Sequence, residues 1–190
     1  MADGTWPARR LLTIDSEVAA TGLVHKLQEY WHSVLDGRPM PSRRDIDPAG
    51  MRRLLPHVFL IDVIGQPPGF RWRLVGTRIG DVERRELTGK SLEETILQRE
   101  DPFLSFCRLT IRVRRPTCHA AQRRDPDGSS RPLMRVLLPL SDDGQNVNMM
   151  LGAIDYTPAE IRPLQRGARI QGARVVRITP PMPAPVAAPR

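Results

Sequence analysis

Apolar residues along this 190-residue chain change period several times, and each change marks a different element. In SEVAATGLVHKLQEYWHSVLDG, the residues Val24, Leu27, Trp31 and Leu35 recur at three- and four-residue steps, the spacing of one helix face. Ser16 is a capping residue, Glu17 suits the positive end of a helix, and Gly37 can stop one, so the pattern predicts a helix over 16–36. Asp47-Pro48 then opens a short helix with Met51, Leu54 and Leu55 on one side, closed by Pro56. The period next falls to two. VFLIDVIG and FRWRLVGT, rich in β-branched and aromatic residues and joined by the turn QPPG, read as a hairpin.

RIGDVERRELTGKSLEETIL reads as short helices around an LTG turn. DPFLSFCRLTIRVRR repeats the Asp-Pro start and places Phe103, Phe106 or Cys107, Leu109 or Thr110, and Val113 on one helical face. Three more strands follow in TCHAAQRRD, RPLMRVLLPLS and NVNMMLGAIDY, separated by the Asp-Gly turns PDGSS and SDDGQN. The element order is helix, short helix, two strands, short helices, a longer helix and three strands. That pattern divides the chain into a flexible arm over 1–15, a domain over 16–156, and a Pro/Ala-rich tail over 157–190 with the composition of a disordered segment.

This order, with a helix containing YW followed by GRPMPSRRDIDP, LLPHVFLIDV, FRWRLVGTRI, ELTGKSL and VLLPLSDDGQNVNMMLGAIDY, resembles a PAS subfamily of short bacterial proteins abundant in alphaproteobacteria. The resemblance spans about residues 20–156. It implies an α+β fold: a five-stranded antiparallel sheet in the order 2-1-5-4-3, helices over one face, and the N-terminal helix covering the sheet's apolar flank, alone or across a homodimer. It also implies a sensory or adaptor module. No kinase, receiver, cyclase or helix-turn-helix output is legible in the chain, so the expected output is a separate protein partner.

Charge modifies this picture only at the ends. The net charge is +8, but residues 157–190 hold six Arg and one Glu, whereas 16–156 hold 21 basic and 18 acidic residues. The tail therefore carries the alternative reading, a nucleic-acid-associated regulator whose arginines clamp phosphates. No apolar run approaches the roughly 20 residues of a membrane helix, and no secretory core is legible at the N-terminus, so the expected location is cytoplasmic. Cys107 and Cys118 have no metal-ligand spacing and read as small hydrophobes.

Candidate chemistry is sparse. No nucleophile elbow, phosphate loop or HExxH pattern is present, so no catalytic or metal residue is assigned. The helix over 102–114 offers no axial His for haem, and RIGDVERRELTGKSL, directly after the second strand, has no cysteine for a photoreactive flavin, so the reading argues against both cofactors. The stretch MPSRRDIDP has no glycine to cradle a phosphate. Its Arg43, Arg44, Asp45 and Asp47 read as ion pairs tying the N-terminal helix to the body, or as a partner-docking surface. Strand alternation puts Phe59 with Ile61, Trp72 with Leu74, and Met149 with Leu151 on shared strand faces, with Val136 on one face of its own strand, and the resemblance implies that these faces look toward Phe103 and Cys107, which together make the ligand-pocket candidates. A filled core is the favoured reading of those stripes and a lined cavity the other.

Overall fold

The computed structural model describes residues 11–13, 22–95, 102–124 and 130–156. The tail 157–190, the helix start expected at Ser16 and most of the PDGSS turn lie outside the described residues. Six antiparallel strands, β1 (Leu11–Thr13), β2 (Val58–Ile64), β3 (Gly69–Val75), β4 (Thr117–Arg124), β5 (Ser130–Leu140) and β6 (Met149–Asp155), form one sheet in the order β1-β4-β5-β6-β2-β3. From β3 to β4 this is the expected five-stranded order. β1 is an addition: within the segment read as a flexible arm, Leu11–Thr13 pairs with Thr117–His119 and supplies backbone partners to the outer edge of β4.

Among the described residues, four α-helices accompany the sheet: α1 (Leu23–Ser33), α2 (Thr77–Glu83), α3 (Leu92–Thr95) and α4 (Pro102–Val113). The helix α1 is shorter than the apolar period suggested. Gly22, at φ 98°, sits in a conformation that helical residues do not adopt, and the helix begins after it. Asp36 and Gly37, with φ of 47° and 72°, turn the chain beyond its end. The predicted short helix after Asp47 is two turns of 3-10 helix, Pro48–Met51 and Leu55–His57, with the Asp47 carboxylate accepting from the Ala49 backbone N–H at 2.9 Å.

The central strands are apolar on both sides. Val58–Asp62 of β2 and Met149–Ile154 of β6 are each buried without a break, as are Val136–Leu140 of β5. Strands buried on both faces need two covers. Helix α4 packs on β4 and β5, while α1 packs on β5 and β6 and brings Val24, Leu27 and Trp31 to 3%, 0% and 2% exposure. The Trp31 indole Nε1–H also donates to the Pro139 carbonyl of β5 at 3.0 Å.

Cross-strand register assigns the two faces, since directly paired residues project to the same side. Phe59 pairs with Gly152, Ile61 with Met150 and with Trp72, and Leu137 with Gly152. A side chain at Gly152 would collide with the Phe59 ring and lie 2.8 Å from the Val136 carbonyl, so only glycine admits that ring. On the opposite side, Val58 pairs with Ala153 and Leu60 with Leu151, while Val136 pairs with Ala153 and Leu138 with Leu151.

Replacing Trp31 tests the cover. Trp31→Ala should cost about 3–5 kcal/mol, read as a lower midpoint in chemical denaturation. Trp31→Phe keeps most of the packing, loses the bond to Pro139 and should cost about 1 kcal/mol. A wild-type midpoint for Trp31→Ala would mean that α1 contributes little to the fold.

Candidate functional site

Between α4 and the sheet, five rings and one cation form a continuous cluster. Phe59 meets Trp72 edge-on at 5.3 Å between centroids and Phe103 at 6.1 Å. Trp72 and Phe103 stack at 5.8 Å with their planes 23° apart. Phe103 continues to Phe106 at 6.2 Å, and Phe106 to the His119 ring of β4 at 5.3 Å. The guanidinium of Arg135, in β5, lies 4.7 Å from the centroid of Phe103. Offset and edge-on arrangements at these separations suit the ring quadrupoles, and the cation faces the electron-rich side of Phe103.

Buried hydroxyls fix the frame. The Trp72 indole Nε1–H donates to Thr95 Oγ1 at 3.0 Å, and Thr95 donates onward to the Leu92 carbonyl at 3.0 Å, which holds α3 against β3. Thr110 of α4 donates to the Phe106 carbonyl at 3.0 Å. Its 2.6 Å contact with Thr117 Oγ1 is then filled by the Thr117 proton, locking α4 to β4.

The structure brings together Phe59, Ile61, Trp72, Phe103 and Cys107 in the layer between sheet and α4, where all five are buried. It places Leu74, Val136, Met149 and Leu151 on the other face of the sheet. Register is the cause. Ile61 pairs with Met150 rather than with Met149 or Leu151, so the alternation assumed for β5 and β6 is one residue out of phase. Leu74 is displaced by a bulge: Leu60 pairs with Leu74 but Ile61 with Trp72, so Arg73 is the extra residue and the side chains beyond it change sides. Leu74 ends 44% exposed.

A PAS domain model matches residues 21–155. The chain belongs to the PAS domain family. Comparison with curated proteins gives no match. Among solved structures, the chain is similar to the light state of the blue-light photoreceptor Aureochrome1 LOV, at 12% identity and TM-score 0.44, over 63% of this chain and 94% of that one. It is also similar to a light-oxygen-voltage domain at 13% and 0.48, over 63% and 90%. The PAS domain of Bordetella pertussis BvgS matches at 16% and 0.38, over 61% and 90%.

Two polar residues of this PAS domain's aromatic layer escape strand alternation, His119 and Arg135, which are cross-strand partners. The available signal was a single charge inside the apolar run of RPLMRVLLPL.

The connector MPSRRDIDP follows the capping logic of its sequence with one change of partner. Asp45 accepts from the Ser42 backbone N–H at 2.7 Å, and Ser42 Oγ accepts in return from Arg44 N at 3.1 Å. The carboxylate's ion pair is with Arg38 at 2.9 Å rather than with Arg43, whose guanidinium donates to the Ile46 carbonyl at 3.0 Å. Asp47 is tied to α1 through its backbone: the Tyr30 hydroxyl donates to its carbonyl at 2.9 Å and accepts from its N–H at 2.7 Å. Arg44 is exposed. In the β5–β6 hairpin, Asp143 accepts from Asn146 N at 2.7 Å, Gln145 N at 2.8 Å, Ser141 Oγ at 2.9 Å and Asn146 Nδ2 at 2.8 Å.

Both carboxyls titrate below the ordinary aspartate value of 3.8, Asp45 chiefly through Arg38 and Asp143 chiefly through the Asn146 backbone N–H. A depressed carboxyl stabilises the fold above its unfolded pKa, and that contribution is lost as pH falls through the folded one. The melting temperature should therefore hold above about pH 4 and decline below it. Asp143→Ala should melt lower at pH 7 and show a flatter decline in acid. Parallel curves for variant and wild type across that range would rule out the hairpin carboxylate as a source of the pH dependence.

Proposed function

We propose that this PAS domain is a non-catalytic sensory or adaptor module of bacterial signalling, cytoplasmic, acting on a separate protein partner. PAS domains are a family of sensory modules, and the match covers residues 21–155. No helix among the described residues is long and apolar enough to cross a membrane. The observation that carries the reading is the position of β5. One face of that strand bears Arg135 within the aromatic layer, and four residues on, Pro139 receives the Trp31 bond from α1. A change on the α4 side thus acts on a strand to which the helix of the opposite layer is directly attached. An altered α1 would be the feature a partner, or a second copy of the chain, reads.

Charge supports a second reading, a nucleic-acid-associated regulator. Residues 102–124 contain six arginines and no carboxylate, so the near-balance of the domain conceals a basic region distinct from the tail. Arg108 and Arg112 lie exposed, one helical turn apart on α4. Two anchors of this kind, with the tail's arginines, would contact phosphates without reading bases.

Native mass spectrometry and the visible absorption spectrum of the purified protein test the first reading. The expected result is a bound small molecule that leaves on denaturation. An apo mass, combined with duplex binding that weakens steeply with salt and is lost on Arg108→Gln/Arg112→Gln or removal of 157–190, would replace it with the second.

A further inference from the structure

Helix α1 packs on β5 and β6, and the next strands along that face are β2 and β3. There lie the exposed large apolar residues of the described chain, Leu74 and Ile64, each 44% exposed. Both project to the α1 side: Leu74 pairs with Leu60, and Ile64 shares the face of Leu60 by alternation. Between them stand Asp62, Arg71 and Arg73. Arg71 reaches the Asp62 carboxylate at 3.0 Å and Arg73 reaches it at 3.4 Å. Two half-exposed guanidiniums thus share one buried carboxylate, and one positive charge is left over.

The bulge at Arg73 creates this stripe. Regular alternation would carry Leu74 inward beside Trp72, whereas the extra residue turns it outward next to Arg73. Moving a leucine from a buried layer into water forfeits its burial energy, which suits a surface that a partner covers.

Sheet geometry names the shape of that partner. Strands lie about 4.8 Å apart and packed helices about 8–10 Å apart, so one helix covers about two strands. With α1 over β5 and β6, the adjoining helix position is β2–β3. Leu74 and Ile64 are separated by four residues of strand, about 13 Å, which a helix spans in about two turns. A partner strand has no such access at Trp72 on the edge of β3. The Gly89 N–H donates to the Trp72 carbonyl at 2.6 Å, and the Lys90 carbonyl accepts from the Trp72 N–H at 2.9 Å.

Charge names its chemistry. The chain's own tail, with six Arg and one Glu over 157–190, has the same sign as the stripe. A second copy meeting the stripe across a two-fold axis would set guanidinium against guanidinium. The complementary occupant is acidic and comes from another protein, and so small a stripe suits a transient contact.

We infer that the β2–β3 face beside α1 docks an amphipathic helix of a partner protein, with apolar side chains two turns apart on Leu74 and Ile64 and carboxylates between them on Arg71 and Arg73. The inference rests on the adaptor reading and names the surface through which the domain acts.

Amide NMR shift mapping on the full chain tests it with a lactam-bridged helical peptide carrying Leu at i and i+7 and Glu at i+3 and i+4, compared with the same peptide carrying Gln for Glu. The Glu peptide should shift the amides of 62–64 and 71–74 saturably, and the Gln peptide should bind more weakly. Leu74→Gln should weaken the Glu peptide about tenfold. Arg73→Gln, which leaves the closer Arg71–Asp62 pair in place, should weaken it about threefold and leave the Gln peptide unchanged. Both variants change exposed side chains and should melt with the wild type. Shifts that miss the hairpin, or equal binding of the two peptides, overturn the inference. So does a wild-type dimer in sedimentation that Leu74→Gln dissolves, since the face then belongs to a second copy. A small molecule bound in the native mass spectrum, with no peptide shifts on the hairpin, leaves the sensory reading standing while this one fails.

Discussion

A sheet whose central strands are apolar on both sides cannot be stable with one face in water, and the rest of this PAS domain follows from that requirement. Burying an apolar side chain contributes about 1.5–3 kcal/mol, and β2, β5 and β6 present such side chains on each face. Helix α4 with its phenylalanines covers one side. The other is closed by α1, a helix whose apolar stripe and whose Trp31 bond to Pro139 fit it to β5. The N-terminal helix is therefore part of the domain's own packing rather than an appendage to it.

The polar interactions do a different job: they fix where each cover sits. The Trp72–Thr95–Leu92 chain sets α3, the Thr110–Thr117 pair sets α4, and the Tyr30 hydroxyl, bonded to both backbone groups of Asp47, sets the connector against α1. Each of these groups is satisfied, so their burial carries no uncompensated cost. The connector's own charges act locally, through the Arg38–Asp45 pair and the Ser42–Asp45 capping box. Its arginines and aspartates, prominent in the sequence, are mostly used up within a few residues of one another.

Arg135 shows another use of a polar side chain, with its guanidinium 4.7 Å from the centroid of the Phe103 ring. It sits where the hydrophobic layer is densest in rings. Position matters as much as chemistry here: on β5, the same strand that holds α1, this contact ties the α4 side of the sheet to the element that carries the opposite cover.

Local patterns alone determined much of the molecule. Helix and strand identities follow from periods of 3.6 and 2, the Asp-Pro starts from capping chemistry, and the hairpins from their Asp-Gly and Pro-Gly turns, because each depends on residues only a few positions apart. Phe59 and Ile61, and Phe103 and Cys107, were each legible as apolar positions of their own elements for the same reason, while the resemblance to PAS domains supplied the expectation that these elements and Trp72 meet in one layer. Register was not. Whether Met149 or Met150 stands beside Ile61 depends on how strands distant in sequence align, and a one-residue shift sends Val136, Met149 and Leu151 to the opposite face. A bulge at Arg73 did the same to Leu74. Tertiary structure alone also brought Arg135 and His119 into the ring cluster, and closed β4's edge with Leu11–Thr13, since those contacts join segments that no local period relates.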